Sequence, residues 1–243
     1  MVPKKERRIM NREQIKLTAI AAMTVNHTAI AFVPPQSIVY IIMTDIGYIT
    51  AVTMCYFLVE GYYYTRSKTA YMQRLGVSAV LSQAPYMLTL GLCQLNMLFT
   101  LLLCFIVVLV MDKVKHKMLK IFAVTVLFCG SCFCDWAFKA VLFTVFFNLA
   151  HQRKESLIIP FSAAFMVQFC LSLYAYQAAF PAGQALLLSF FSSVGIIVSG
   201  YLIIRKYNGK RSEKHKTFWK WFFYLYYPLH LFLLYLIKTL ILR

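Results

Sequence analysis

The sequence predicts an all-α fold: a polytopic transmembrane helical bundle of about nine spans, with the N-terminus cytoplasmic and the C-terminus external. The first observation is composition, with 61% apolar residues, 16% aromatics and only 14% charged residues, far outside the soluble average. Mean hydropathy is +0.68. The second is the recurrence of apolar runs of roughly 15 to 25 residues, the length a helix needs to cross hydrocarbon. The third is the placement of the basic residues, which alternates from one gap between runs to the next.

Taken in order, the runs are Leu17 to Val33, Ile46 to Tyr62, Leu75 to Leu90, Met97 to Met111, Leu119 to Cys134, Trp136 to Ala150, Leu157 to Tyr174, Leu186 to Ile204 and Phe218 to Leu242. β-Barrel spans would instead read as short alternating segments. The segment Met1 to Lys16 holds six basic residues and the gap after the first run holds none. Arg66, Lys68 and Arg74 share the next gap, and the one after it has none. Lys113, Lys115, Lys117 and Lys120 follow, then Lys139 alone, then Arg153 and Lys154, then none, then seven from Arg205 to Lys220, and finally Lys238 and Arg243. One face thus carries 22 of the 25 basic residues, and the positive-inside rule makes that face cytoplasmic. The net charge of +17 is therefore read as topology and contact with anionic lipid, not as nucleic-acid binding. The chain is expected to form a single integral-membrane domain over 1–243, with a basic cytoplasmic segment at 1–16 and a basic cytoplasmic loop at 205–220. Ala29 to Ala31 offers a signal-peptidase-like A-x-A, but the charge alternation works with this helix retained as a span. Cys129, Cys132 and Cys134 cluster at one helix end without a histidine and are read as packing; no metal is expected.

Two of the five histidines, His27 and His230, lie inside long apolar runs. His27 follows Lys16 by eleven positions, ~16 Å of helix, and His230 follows Lys220 by ten, ~15 Å. Both fall near the middle of a hydrocarbon core ~30 Å thick, where a titratable ring is costly and usually has a task. Lys16, Ile20, Met23 and His27 share one helix face, with Thr24 one turn before His27. Tyr226 and Tyr227 precede His230 by four and three residues, and Pro228 between them removes a backbone donor. Glu60 sits six residues before Arg66, inside a run, as a rare intramembrane carboxylate. Gln83, Asn96 and Thr100 are further polar groups in or beside apolar runs, whereas Asp45 and Asp135 fall at external ends and are read as exposed.

A set of segments resembles the TraX family in order and over nearly the whole chain: IKLTAIAAMTVNHTAI from Ile15, YFLVEGYYYTRSKTAYMQRL from Tyr56, LSQAPY from Leu81, LNMLFTLLL from Leu95, YNGKR from Tyr207 and YLYYPLHL from Tyr224. The first also fits the Lys-x10-His spacing of larger integral-membrane acyltransferases. The resemblance implies acyl transfer, the family being named for a membrane protein that N-acetylates conjugative pilin. It implies acetyl-CoA as acyl donor, an amine or hydroxyl acceptor on a peptide, protein or glycan, and a bacterial inner or plasma membrane location. His27 is then the catalytic base or acyl carrier, with His230 and Glu60 as further catalytic candidates. Substrate-binding candidates are Lys16, Asn26, Arg66, Arg74, Gln83, Asn96, Thr100, Tyr227, Asn208 and Lys210, with Arg211 beside the last. The chain departs from the family at Asn26 and Tyr48, where the family has aspartate and arginine, and at Gln83, where it has an acidic residue. A proton-coupled transporter using the same histidines is the rival reading, although the sequence has no internal repeat.

Overall fold

The computed structural model describes residues 9–35 and 37–241. The first half of the 1–16 segment, including Lys4, Lys5, Arg7 and Arg8, lies outside the described residues, as does Arg243. Within them the chain is helical, with no strand. The helices are α1 (Arg12–Phe32), α2 (Ile38–Ile46), α3 (Tyr48–Tyr64), α4 (Lys68–Leu90), α5 (Met97–Lys113), α6 (Lys117–Gly130), α7 (Ala137–Arg153), α8 (Ile158–Tyr176), α9 (Ala182–Tyr201) and α10 (Lys216–Ile241). A π-helical turn, Leu202–Lys206, extends α9. Five stretches are long and apolar enough to cross a membrane: Arg12–Phe32, Ile38–Tyr64, Ile158–Tyr176, Ala182–Lys206 and Lys216–Ile241. The protein is a membrane protein.

Local chemistry explains the boundaries. Asn11 caps α1 through a capping box with Gln14, which satisfies two donors at the helix start. Ser67 and Asn96 cap α4 and α5 by accepting from Ala70 N and Leu98 N. Gly91 ends α4 in the left-handed conformation a glycine adopts without strain. Pro85 and Pro228 lie inside α4 and α10, yet both helices run on through them.

Helix α3 is the centre of the bundle and packs against α1, α5, α7 and α9. It buries residues on every face, Thr50, Val52, Cys55, Phe57, Val59 and Tyr62 among them, the signature of an interior helix. Thr50 Oγ1 donates to Ala19 O at 2.6 Å, and Thr53 Oγ1 donates to Ser199 Oγ at 3.1 Å, which in turn reaches Ile49 O at 3.1 Å. Between helices in lipid such bonds are worth about 0.6 to 2 kcal/mol each. Gly195 of α9 lets this approach happen, because a Cβ there would sit 3.0 Å from Ile49 N and 3.0 Å from Tyr48 Cβ. Outward faces are apolar: Leu187 and Phe191 on α9, Leu229, Leu233 and Leu240 on α10 are all exposed, as a lipid-facing surface requires.

Connections at two ends of the bundle are tied together by backbone hydrogen bonds. At the basic end the segment before α1 pairs with the turn after the π-helix, Met10 N donating to Lys206 O at 3.0 Å and Asn208 N to Met10 O at 2.9 Å. At the opposite end, the α4–α5 connection meets the turn before α7: Leu95 N donates to Phe133 O at 2.9 Å and Asp135 N to Leu95 O at 2.7 Å.

Candidate functional site

α1 and α10 bring the two intramembrane histidines into direct contact. His27 Nδ1 and His230 Nε2 are 2.8 Å apart, and the rings are nearly coplanar in orientation, with an interplanar angle of 6°. Both are buried, at 4% and 6% exposure. The other nitrogen of His230, Nδ1, lies 2.9 Å from Tyr226 O. A carbonyl oxygen only accepts, so His230 Nδ1 carries a hydrogen. For a neutral pair the rest follows: His230 Nε2 is an acceptor, His27 Nδ1 donates to it, and His27 Nε2 keeps its lone pair. A chain of two hydrogen bonds anchored on one backbone carbonyl thus selects the His27 tautomer that can act as a base.

Neighbouring side chains hold the pair in place. Thr24 Oγ1 donates to Ile20 O at 2.9 Å, so the 2.7 Å contact with Tyr226 is donated by the tyrosine hydroxyl. The Tyr226 ring stacks on His230, with centroids 5.1 Å apart and planes 14° apart. Tyr227 presents an edge to both histidines, and its hydroxyl accepts from Met97 N at 3.4 Å. The sequence grouping of Thr24 with His27 and of both tyrosines with His230 is realised in these contacts.

Two cavities flank this pair. A large one, about 470 Å³, opens at the basic end. Arg12, Lys16, Arg66, Arg74, Arg211, Lys216 and Lys220 supply its cations, and Ile20, Met23, Met97, Leu98 and Leu101 its apolar inner wall, with Tyr227 beside them. Lys16 Nζ lies 5.1 Å from the Phe223 ring centroid and 5.9 Å from that of Phe57. Arg74 Nε is buried without a hydrogen-bond partner among the described residues. A buried donor left unpaired costs about 1 to 3 kcal/mol, so this one invites an acceptor from a ligand. The small cavity, about 20 Å³, is walled by His27, Asn26, Gly47, Asp135 and Trp136. The two share Met23, Thr50 and Met97 in their walls.

Of the residues singled out in the sequence, Lys16, Arg66, Arg74 and Tyr227 line the large cavity, and Asn26 and His27 line the small one. His230 lines neither cavity and reaches the site through His27. Glu60 also stands outside both walls. It pairs with Arg12, Nε to Oε2 at 3.7 Å, rather than with Arg66, and accepts from the Tyr207 hydroxyl at 3.1 Å. Burial first, and Glu60 second, push the Tyr207 hydroxyl well above its usual range. Gln83 and Asn96 bond to each other and to backbone: Gln83 Oε1 accepts from Asn96 N and Nδ2 at 3.0 and 2.9 Å, and Asn96 Nδ2 also donates to Ala79 O at 2.8 Å. Thr100 Oγ1 donates to Asp135 O and clamps that turn. Asn208 Oδ1 accepts from Lys210 N at 2.9 Å, and neither residue lines a cavity. The side chains of Gln83, Asn96, Thr100 and Asn208 each satisfy a backbone group, which periodicity along a single helix cannot reveal.

Sequence reasoning missed Arg12 among many N-terminal cations and misread Asp45 and Asp135 as exposed, whereas both are half-buried. The turn carrying Asp135 folds inward against His27, and the two residues after it, Trp136 and Ala137, have φ of 62° and 27°, left-handed values that non-glycine residues rarely adopt. Burial raises the Asp135 carboxyl to about 6, with the Trp136 N–H and Lys139 opposing the rise. Asn26 Nδ2 donates to Thr44 O at 3.0 Å, and a Cβ on Gly47 would stand 2.6 Å from that same nitrogen.

Comparison with known proteins gives two matches of nearly full length. The family model described as TraX protein matches residues 11–238. A relative from Dichelobacter nodosus, described as probable fimbrial assembly protein FimC, serogroup H1, is 29% identical over 233 residues, covering 91% of this chain and 93% of its own. No solved structure matches the chain.

Proposed function

The chain belongs to the TraX family, and from that premise we propose that it is an integral-membrane acyltransferase moving an acetyl or short acyl group from acetyl-CoA to an amine or hydroxyl acceptor, a peptide N-terminus being one such acceptor. The observation that carries this reading is the Tyr226 carbonyl–His230–His27 chain, which leaves His27 Nε2 as a free base, with His27 on a small cavity that shares Met23, Thr50 and Met97 with the cationic one. The basic end is cytoplasmic by the positive-inside rule, which puts the cavity mouth on the side where acetyl-CoA resides. Arg66, Arg74 and Arg211 suit its phosphates, and the planar guanidinium fork suits them better than an ammonium would. The slender pantetheine arm follows the apolar wall inward past Lys16 and delivers the thioester to Met23 and Met97, next to His27. The bilayer is that of a bacterial inner membrane, and the acceptor enters from the external side.

In the direct reaction His27 Nε2 takes a proton from the acceptor nitrogen or oxygen as that atom attacks the thioester carbonyl. The carbon–sulfur bond then breaks and the departing thiolate takes the proton back from His27. The products are the acylated acceptor and free coenzyme A thiol. The alternative covalent route uses the same lone pair to form an acyl-histidine. His230 serves either route by fixing the tautomer, and Tyr227 by shaping the passage between cavity and base.

The test uses the purified protein in lipid nanodiscs with labelled acetyl-CoA and amine acceptors, following thiol release. Turnover that His27→Ala abolishes while donor binding persists supports the reading. Wild-type turnover in that variant overturns the role of His27. Proton-dependent flux of a solute across vesicles without thiol release would instead establish the transporter.

A further inference from the structure

The small cavity joins His27 to a carboxylate on the opposite end of the bundle. Its wall brings His27 from α1, Asp135 from the turn before α7, Asn26 and Thr50 to one space of about 20 Å³. That is room for one water, and a water there has several polar partners within the same wall. We infer that Asp135 is the positioning residue that accepts a proton from His27 through a single bridging water, giving the base an exit toward the external face. The inference rests on His27 acting as a base.

Proton balance shows why an exit matters. An acceptor that arrives as an ammonium reacts with the thioester to give amide, coenzyme A thiol and one further proton. His27 Nε2 takes the two in turn: the first must leave before the nitrogen attacks, and the second passes to the departing thiolate. His27 Nδ1 already donates to His230, whose own Nδ1 is committed to Tyr226 O, so the pair offers no second acceptor. Asp135 does, across the water.

The backbone of that turn is clamped independently of the carboxylate, through Asp135 N to Leu95 O and Thr100 Oγ1 to Asp135 O. The carboxylate itself accepts from the Trp136 N–H, and its remaining lone pairs are open to a water. Its titratable and charged surroundings are His27 on α1, Tyr86 on α4, Cys134 beside it, Lys139 on α7 and Tyr227 on α10. Lys139 Nζ stands 5.0 and 5.2 Å from the Tyr48 and Trp136 ring centroids, and its charge holds the carboxyl down. A carboxyl that titrates at about 6 receives a proton and returns it to water near neutral pH.

Two readouts test this, and one does not depend on turnover. In protein carrying ¹⁵N-labelled histidine in nanodiscs, the His27 Nε2 resonance, assigned by its loss in His27→Ala, is followed over roughly pH 5 to 8. We expect a transition near pH 6 in the wild type, its loss in Asp135→Asn, and its return in Asp135→Glu. In the transfer assay Asp135→Asn lowers kcat ~100-fold, leaves the KM for acetyl-CoA unchanged and removes the rise of kcat through pH 6. Asp45→Asn, which also sits near Lys139 but outside the cavity wall, keeps both readouts. Folding does not confuse the result. A carboxyl whose folded pKa is raised costs stability once pH exceeds its unfolded value, so the neutral asparagine is at least as stable above pH 6. Superimposable His27 titrations in wild type and Asp135→Asn overturn the relay. If the wild type turns over no acceptor, the transfer reading falls and the resonance alone judges the relay.

Discussion

Replacing His230 with leucine should slow acyl transfer sharply without weakening donor binding. The magnitude follows from the hydrogen-bond chain. In the resting state His27 Nδ1 donates a neutral bond of 2.8 Å to His230 Nε2, worth about 1 kcal/mol net. When His27 Nε2 takes a proton, the donor becomes cationic and the same bond is worth roughly 1.5 to 3 kcal/mol. The gain of about 1 to 2 kcal/mol arises only as charge develops and therefore lowers the barrier. It corresponds to ~5- to 30-fold in rate at 1.4 kcal/mol per decade. Loss of the tautomer lock and of the ring's orientation adds to this, so His230→Leu should lose ~10- to 100-fold in kcat. The KM for acetyl-CoA should hold, because His230 lines neither cavity. His230→Gln keeps an acceptor near Nδ1 of His27 and should recover part of the rate. Because His230 acts through His27, the double variant with His27→Ala should be no slower than His27→Ala alone. Steady-state kinetics in nanodiscs decide the matter. Wild-type kcat in His230→Leu, or a raised donor KM with kcat unchanged, would refute the coupling.

The remaining predictions concern the cavity and the packing that frames it. Removing the cations of the large cavity in an Arg66, Arg74 and Arg211 triple alanine variant should weaken acetyl-CoA binding by at least tenfold, with a steeper salt dependence in the wild type than in the variant. Lys210→Ala, whose side chain lies outside the wall, should leave donor affinity unchanged in the same calorimetric titration. Gly195→Ala should destabilise the protein by about 1 to 3 kcal/mol, since the new methyl meets Ile49 N and Tyr48 Cβ at 3.0 Å and backbone cannot step aside as a side chain can. Thermal unfolding in detergent checks it, and an unchanged midpoint would show that α9 can move outward from the α2–α3 joint.

What the sequence made legible is what has a one-dimensional period. The apolar runs anticipate where helices occur, and the histidines stand out because a charge-capable ring inside a run is rare. The neighbourhood of Thr24 with His27 and of Tyr226 with His230 is also a matter of helical spacing. What the runs do not encode is the joint at Gly47, where one long apolar stretch becomes α2 and α3, or the inward fold of the turn at Asp135. Both are tertiary events, set by which backbone groups find partners across the bundle. The protein partners of Gln83, Asn96, Thr100 and Asn208 are hidden from the sequence for the same reason. A polar side chain in an apolar stretch needs a partner, and the sequence does not say whether that partner is a substrate or a carbonyl on the next loop.

The geometry around the histidine pair also accounts for why the base is buried rather than set at either surface. On the proposed function a thioester beside a base must be kept from bulk water, so the base is set back from the wide cationic mouth, next to a space that holds no more than one water. Met23 and Met97 stand in both cavity walls and provide that shield with unbranched side chains that can shift without breaking a hydrogen bond. On the far side the space next to His27 is water-sized, so the pocket must widen to admit an acceptor group. The turn from Asp135 to Ala137, with its two consecutive left-handed residues and its seat on Thr100 and Leu95, is the element whose displacement would open it. On the proposed function, donor access and acceptor access would be controlled by different elements, methionines on one side and the Asp135 to Ala137 turn on the other. On that reading His27 would meet both substrates, with Met23 and Met97 standing between the two cavities.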